Sequence, residues 1–306
     1  MLYLILILMF THFGLSAQAV LVLNMENKAA LPARFRTAQD KGKCSSDLSQ
    51  KGLDRLLVSG SGQFSEKSFE VILKTLGYPQ KLYVLDLREE SHGFLNGAAV
   101  SWYGARNRWN TGKNSSQIIS EEIRLLQEAA KKKEVMVCKI THKNSAENQL
   151  PSGKEIPFLV KEAQTESAFL DSKKVAYLRL PVTDHKRPSD QIVEEFISWI
   201  RRIPAGGWIH MHCAGGSGRT TTFMVMLDMI QNASQISFDT IIRRQMCLGG
   251  AELHPEEKME WKRADAAARY QFLSDFYVYA REVGPSLSEG WLSWLARSPG
   301  SAGTSK

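Results

Sequence analysis

The sequence predicts an α/β fold with a largely parallel central sheet. Three observations carry that expectation. Strand-like and helix-like segments alternate along the 306-residue chain, the composition is that of an ordinary globular protein (43% hydrophobic, 23% charged), and one strand runs through a glycine-rich turn straight into a helix. No internal repeat at a solenoid period is present.

The elements follow in order. In "FSEKSFEVILKTLGYP", Ser65 is placed to cap a helix, Phe69, Ile72, Leu73 and Leu76 recur at helical spacing, and Gly77 and Pro79 end it. "KLYVLDL", Lys81 to Leu87, alternates as a strand. "SSQIISEEIRLLQEAA" reads as a helix with Ile119, Ile123, Leu126 and Ala130 on one face. "VMVCKIT" and "VAYLRL" read as strands, and the polar Gly/Pro-containing stretch between them could hold small strands of a separate lobe. "RPSDQIVEEFISWIRRI" is a helix opening at Pro188 and Ser189 with Ile192, Phe196, Ile200 and Ile203 on one stripe. The strand "WIHMHC" and the helix "GRTTTFMVMLDMI" follow, then helices from Phe238 to Leu248 and from Trp261 to Val283.

The ends carry separate signals. Leu2 to Phe13 is an apolar run followed by the small-x-small triplet Ala17-Gln18-Ala19, the pattern of a secretory leader cut after Ala19. The alternative, an uncleaved anchor, would need a longer apolar core. The expectation is therefore an exported protein, periplasmic or secreted, with no stable membrane anchor. Residues 297–306 are Ser/Gly-rich and are expected to form a loose tail. The four cysteines, Cys44, Cys138, Cys213 and Cys247, include no CxxC pair, so a zinc site is not expected, and a pairing, if any, is sought among Cys44, Cys138 and Cys247. The net charge of +7 fits either a solvated basic surface or attraction to a polyanionic partner.

The chemistry concentrates in "HMHCAGGSGRTTT", His210 to Thr222. A strand, a turn of Ala214, Gly215, Gly216, Ser217 and Gly218, and a helix N-terminus together form an anion cradle. Arg219 offers a planar fork that can hold two phosphate oxygens. The cradle also favours a thiolate at Cys213, which then faces a bound phosphate as a nucleophile. A thiolate alone does not expel a basic alkoxide, so a general acid is needed nearby. Asp184 in "LPVTDHKRPSD" sits between a strand and a helix, where such a loop would lie.

"HCAGGSGRT" matches the active-site loop HCxxGxGR[ST] of cysteine-dependent protein tyrosine phosphatases. Together with "LVSGSGQFSE", "DLREESHGFLNGAAVSWYG", "TDHKRP" and "FYVYARE", it resembles the bacterial PTP-like phytases over about Leu31 to Leu295. That resemblance implies a tyrosine-phosphatase core spanning 20–296, with a small β-barrel-like lobe inserted within about 102–166. It implies metal-independent hydrolysis of myo-inositol polyphosphates through a phosphocysteine, with no cofactor and no nucleic-acid partner; the oligomeric state stays open. Residue by residue it makes Cys213 the nucleophile, Arg219 the phosphate-binding arginine and Asp184 the acid. Thr220 is expected to bond the sulfur and His212 to order the loop from behind. His185, Lys186, Arg187, His142 and Lys143 are expected around the pocket mouth, with Arg36 and Lys262 facing substrate. The acid loop reads "DHKRP" where the group has an aromatic before the proline, and Asn107 stands where an aspartate is expected. Two other functions use the same features: a protein tyrosine or dual-specificity phosphatase, and a weakly catalytic module binding inositides or anionic lipids.

Overall fold

The structure is a computed structural model that describes residues 19–40, 44, 48–143 and 149–298. The apolar run expected to be a leader, through residue 18, and the tail from 299 onward lie outside the described residues. Among the described residues no helix is long and apolar enough to cross a membrane.

One sheet builds the site. It contains β2 (Arg36–Thr37), β3 (Val58–Ser61), β4 (Leu82–Arg88), β10 (Ala176–Val182) and β11 (Trp208–His212) in the order β10-β4-β11-β3-β2. All neighbouring pairs are parallel except β2 with β3. The expected parallel core is therefore present, with one antiparallel edge. The helices covering it are α4 (Asp190–Arg202), α5 (Gly218–Asn232), α6 (Phe238–Cys247), α7 (Glu260–Val283) and α8 (Trp291–Arg297). Of these, α5 is buried on every side. A helix apolar all round, "FMVML", can only sit in the centre of a domain, and its Phe223, Met224 and Leu227 lie in the same core as Phe196, Phe276 and Trp291.

The second sheet has the order β8-β7-β1-β6-β5-β9, from β1 (Val20–Met25), β5 (His92–Leu95), β6 (Ala98–Tyr103), β7 (Glu134–His142), β8 (Ser152–Leu159) and β9 (Ala163–Gln164). The lobe expected within 102–166 thus supplies only part of a larger sheet, and this sheet is not closed into a barrel among the described residues. The β5–β6 hairpin turns at Asn96 and Gly97, with φ of 50° and 76°, values that suit an Asn-Gly pair between twisted strands. Helix α2 (Ser115–Lys132) packs on this sheet, while α1 (Glu66–Thr75) and α3 (Glu166–Ser172) cover the junction of the two sheets through Phe69, Phe94 and Phe169. Ser65 caps α1 as expected, accepting the Ser68 N–H.

The face of α2 differs from expectation by one position. Ile118, Glu122, Leu126 and Ala129 point inward, while Ile119, Ile123 and Ala130 are exposed. The reason is Glu122. Its carboxylate accepts the His92 N–H (2.8 Å) and the Arg179 guanidinium (2.7 Å), so the helix is phased by a buried ion pair that apolar counting does not see. Cys44 pairs with Cys247 in a disulfide, and Cys138 and Cys213 are free.

Candidate active site

Parallel strands deliver their carboxyl ends to one rim, where loops collect functional groups. Here β11 runs into Cys213, β4 ends at Arg88 and leads to Glu89 and Glu90, and β10 leads to Asp184. The turn after β11 is pinned from behind. The Ala214 carbonyl accepts the Gln63 N–H (3.2 Å), the Gly215 carbonyl accepts Arg34 (2.9 Å) and the Gly216 carbonyl accepts Arg36 (2.8 Å). Gly216 has φ 67°, and a Cβ there would lie 2.3 Å from the Gly62 nitrogen, so conformation and space both demand glycine. Ser217 makes no side-chain cap, which leaves the first N–H groups of α5 for an anion.

Arg219 is the pivot. Its Nη1 donates to Glu90 Oε2 (2.7 Å) and its Nη2 to Glu90 Oε1 (3.0 Å), a two-pronged ion pair with both side chains buried. Nη1 also donates to the Leu87 and Val182 carbonyls (3.2 and 3.1 Å), tying α5 to the ends of β4 and β10. Burial works against its charge, but Asp184 and Glu90 outweigh burial and hold its pKa well above the ordinary arginine value. Its Nε–H has no hydrogen-bond partner among the described residues.

Asp184 lies beside this fork. Oδ1 is 3.3 Å from Arg219 Nη2 and accepts the His185 N–H at 3.1 Å, while Oδ2 accepts Asn107 Nδ2 at 2.9 Å. Burial alone would raise its pKa; Arg219 and His185 overcome that and lower it. Asn107 also donates to Glu90 Oε1 (3.1 Å), so one amide bridges the two carboxylates. His185 stands edge-on to Trp261 at 5.0 Å, and burial pushes its pKa down to about 4, against the opposing pull of Asp184.

Cys213, Asp184 and His185 share a cavity of about 850 Å³ with Arg34, Lys143, Lys262 and Arg269. Other expected residues stand elsewhere. Arg36 is fully buried beneath the turn, where it also donates to Thr221 Oγ1 (3.0 Å), so it supports the loop instead of facing substrate. Lys186 and Arg187 line a separate hollow on the other side of the acid loop, and Arg187 is paired with Asp190 (2.9 Å). His142, exposed at the end of β7, does not line the cavity, whereas Lys143 does. The Thr220 hydroxyl is directed to the Ser61 carbonyl (3.4 Å), not to the sulfur. His212 lies behind the loop, bonded to Glu166 Oε1 at 2.7 Å.

Glu90, Arg34, Asn107 and Trp261 are the residues that sequence reasoning left without a role. Nothing local marks Glu90: the charged run "REES" after an alternating strand reads as a solvated strand end, and the burial that makes Glu90 need a charged partner shows only in the fold. Trp261 gathers Arg106, Lys262 and Arg108 over its ring at 4.7, 5.0 and 5.9 Å, an arrangement that keeps cations at the cavity wall. Among the described residues no cluster of three or more His, Cys, Asp or Glu side chains could hold a metal ion.

Comparison with known proteins gives a consistent set of likenesses. A sequence model for PTP-like phytases, described by inositol hexakisphosphate, matches residues 85–231. The PTP-like myo-inositol phosphatase of Mitsuokella multacida, solved in complex with myo-inositol-(1,3,4,5)-tetrakisphosphate, superposes with a TM-score of 0.85 at 32% identity over 94% of this chain and 49% of that one. A PTP-like phytase from Bdellovibrio bacteriovorus gives a TM-score of 0.71 at 32% identity, covering 91% of this chain and 95% of that one. Effector protein HopD2 of Pseudomonas syringae pv. tomato is 30% identical over 272 residues, which are 86% of this chain and 56% of HopD2. The chain thus spans about half the length of the Mitsuokella and Pseudomonas relatives.

Proposed function

The chain belongs to the PTP-like phytase family, and from that premise we propose that it is a cysteine phosphatase acting on phosphomonoesters of myo-inositol polyphosphates. The observation that carries the proposal is the convergence of Cys213 after β11, Arg219 in the first turn of α5 and Asp184 after β10 onto one rim, with the Arg219 fork fixed by Glu90.

The reaction has two steps. The Cys213 thiolate attacks phosphorus as the ester P–O bond breaks, and Asp184 gives its proton to the departing inositol oxygen. Asp184, now a carboxylate, takes a proton from water; the water oxygen attacks phosphorus, the S–P bond breaks, and inorganic phosphate leaves with the thiolate restored. Arg219 and the free N–H groups of α5 hold the phosphoryl oxygens while charge moves between them.

Asp184 must enter the first step protonated, although in the free protein Arg219 favours its ionised form. A dianionic phosphate resolves this. It competes for the Arg219 fork and sets negative charge beside Asp184, and both effects raise the pKa of the acid. The wall of the cavity suits a substrate with several phosphates. Arg34, Lys143, Lys262 and Arg269 stand around the space beyond the cradle and can grip groups that are not reacting. In the Mitsuokella relative the bound ligand is an inositol tetrakisphosphate, which supports the same class here.

The test compares kcat/KM for phytate with that for a phosphotyrosine peptide. The proposal expects phytate to be preferred by at least about tenfold, since it presents several times the charge of one phosphate ester. A preference for the peptide would assign the site to phosphoproteins, and binding without turnover of either would assign it to an inositide-binding module.

A further inference from the structure

Among the described residues, the Asn107 side chain bonds only to the carboxylates of Glu90 and Asp184. Its side-chain Nδ2 reaches Glu90 Oε1 at 3.1 Å and Asp184 Oδ2 at 2.9 Å, and its Oδ1 is buried with no hydrogen-bond partner among the described residues. The residue is 2% exposed and has φ 61°, the left-handed region that asparagine tolerates better than most side chains. It follows Arg106, also at positive φ (52°), in a short turn at Ala105–Asn107. The backbone there is held in two successive sparsely populated conformations, and the outcome is one amide aimed between two acids.

Those contacts close a ring. Arg219 binds Glu90 with both Nη atoms and approaches Asp184 Oδ1 at 3.3 Å; Asn107 joins Glu90 Oε1, the oxygen that Arg219 Nη2 also reaches, to Asp184 Oδ2, the oxygen turned away from Arg219. Without Asn107, the two close contacts of the Asp184 carboxylate, Arg219 at 3.3 Å and the His185 N–H at 3.1 Å, both fall on Oδ1, and the group can turn about that oxygen. The bond to Oδ2 fixes its plane. We propose that Asn107 is the positioning residue for the general acid: it holds Asp184 in the orientation from which the proton reaches the leaving oxygen, and keeps it there when substrate phosphate takes the Arg219 fork. An aspartate at this position would instead bring a third carboxylate against Glu90 and Asp184. An amide donates to both without adding charge.

This inference rests on the phosphatase reading above and deepens it. It predicts dependence on the leaving group. An alkyl phosphate such as an inositol phosphate needs its leaving oxygen protonated, whereas an aryl phosphate with a strongly acidic phenol does not. Loss of an acid-positioning contact therefore falls mainly on the alkyl ester. A contact that merely shaped the cradle would affect both esters alike, because both use Cys213 and Arg219.

The experiment uses Asn107→Gly, which removes the amide and accepts a positive φ, and Asn107→Asp, which keeps the shape and the backbone preference. For Asn107→Gly, kcat/KM for an inositol phosphate should fall about tenfold more than kcat/KM for an activated aryl phosphate, a fraction of the 10²–10⁴ that a general acid supplies. For Asn107→Asp, the alkaline limb of the kcat/KM profile on the inositol phosphate should move up by about one pH unit, because an added like charge opposes ionisation of the acid. The groups already facing Asp184 are Arg219 from α5, Glu90 after β4, His185 on its own loop, Arg108 beside Asn107, Tyr103 from β6 and Arg269 from α7. They are the same in all three proteins, so the shift reports the new carboxylate. Equal losses on the two esters together with an unmoved alkaline limb would overturn the positioning role. A wild-type protein inactive on both esters would overturn the phosphatase reading, and this inference with it.

Discussion

Replacing Glu90 by glutamine should cost both stability and turnover. In the wild type, Glu90 Oε1 accepts Arg88 Nε (2.9 Å), Arg219 Nη2 (3.0 Å) and Asn107 Nδ2 (3.1 Å), and Oε2 accepts Arg219 Nη1 (2.7 Å). Glu90 is fully buried and the Arg219 side chain is 1% exposed. Glutamine preserves the shape and can keep its one carbonyl oxygen at the Oε1 position with three donors. The Oε2 contact is lost, and an NH₂ group faces Arg219 instead. Two buried guanidinium groups then share one counter-charge fewer. Removing one partner of a buried ion pair destabilises by about 3–5 kcal/mol, and the retained contacts place this case near about 3. For a domain of this size that corresponds to a Tm lower by roughly 6 °C or more. Arg219 is then less firmly held against the phosphoryl oxygens, and loss of one such oriented donor lowers kcat by about 10²-fold. The assay is thermal unfolding followed by circular dichroism, with kcat on an inositol phosphate and on an activated aryl phosphate. Arg219 acts on the phosphoryl group of both esters, so both should lose activity equally. Wild-type Tm together with wild-type kcat would refute the reasoning, because Glu90 would then be neither an effective counter-ion nor a guide for Arg219.

Other outcomes follow from the same geometry. The contributions of Glu166 and His92 to stability should both be full between about pH 4.5 and 6.5. The folded Glu166 has its pKa lowered to about 2, against burial, by His212 and His92, so its contribution is full above its ordinary value of 4.5 and is lost as pH falls through the folded value. The buried His92 has its pKa raised to about 9, against burial, chiefly by Asp86, so its contribution is full below 6.5 and is lost as pH rises toward 9; His92→Gln should flatten that alkaline decline in a plot of Tm against pH, and an unaltered slope would exclude His92 as its origin. The Cys44–Cys247 bond closes a loop with a sequence separation of 203, so Cys247→Ser should lower stability by about 2–4 kcal/mol in a denaturant titration and add one free thiol, that of Cys44, to a thiol titration of the unfolded protein. Lys143→Ala with Lys262→Ala should raise KM for an inositol polyphosphate several-fold at low salt and leave kcat within about twofold, the difference fading as salt screens exposed charge. Lys186→Ala with Arg187→Ala should raise KM less, because those side chains face the separate hollow; the opposite ranking would place the substrate on that side of the acid loop.

What the sequence disclosed was what is local in the chain. Cys213, the glycine turn and Arg219 occur within seven residues and imply their chemistry without any fold. Asp184 was readable because it lies where a strand passes into a helix, and the structure brings its carboxylate to Arg219. Glu90 was not, because its partner is 129 positions away and no local pattern couples them. Arg36 was given the wrong side of the loop: a basic residue near a phosphate cradle can face the ligand or support the turn, and only three-dimensional packing separates the two. Lys186 and Arg187 failed for a related reason, since neighbours of Asp184 in the chain can point to the opposite side of its loop. In the second sheet, β5 and β6 are buried along nearly their whole length and rich in small residues, so the alternation that marks a half-buried strand is absent. The phase of α2 was hidden by Glu122, an inward-facing acid that apolar periodicity counts as surface.

The central claim is that phosphate passes through the sulfur of Cys213. Asp184→Asn removes both the proton donor and the base for the second step, so with an activated aryl phosphate, whose departure needs no acid, the phosphorylated enzyme should accumulate. Rapid acid quench followed by peptide mass spectrometry should find one phosphoryl group on the peptide containing Cys213, and none when Cys213→Ser is added. A label on any other residue, or continued turnover by the Cys213→Ser protein, would contradict the account.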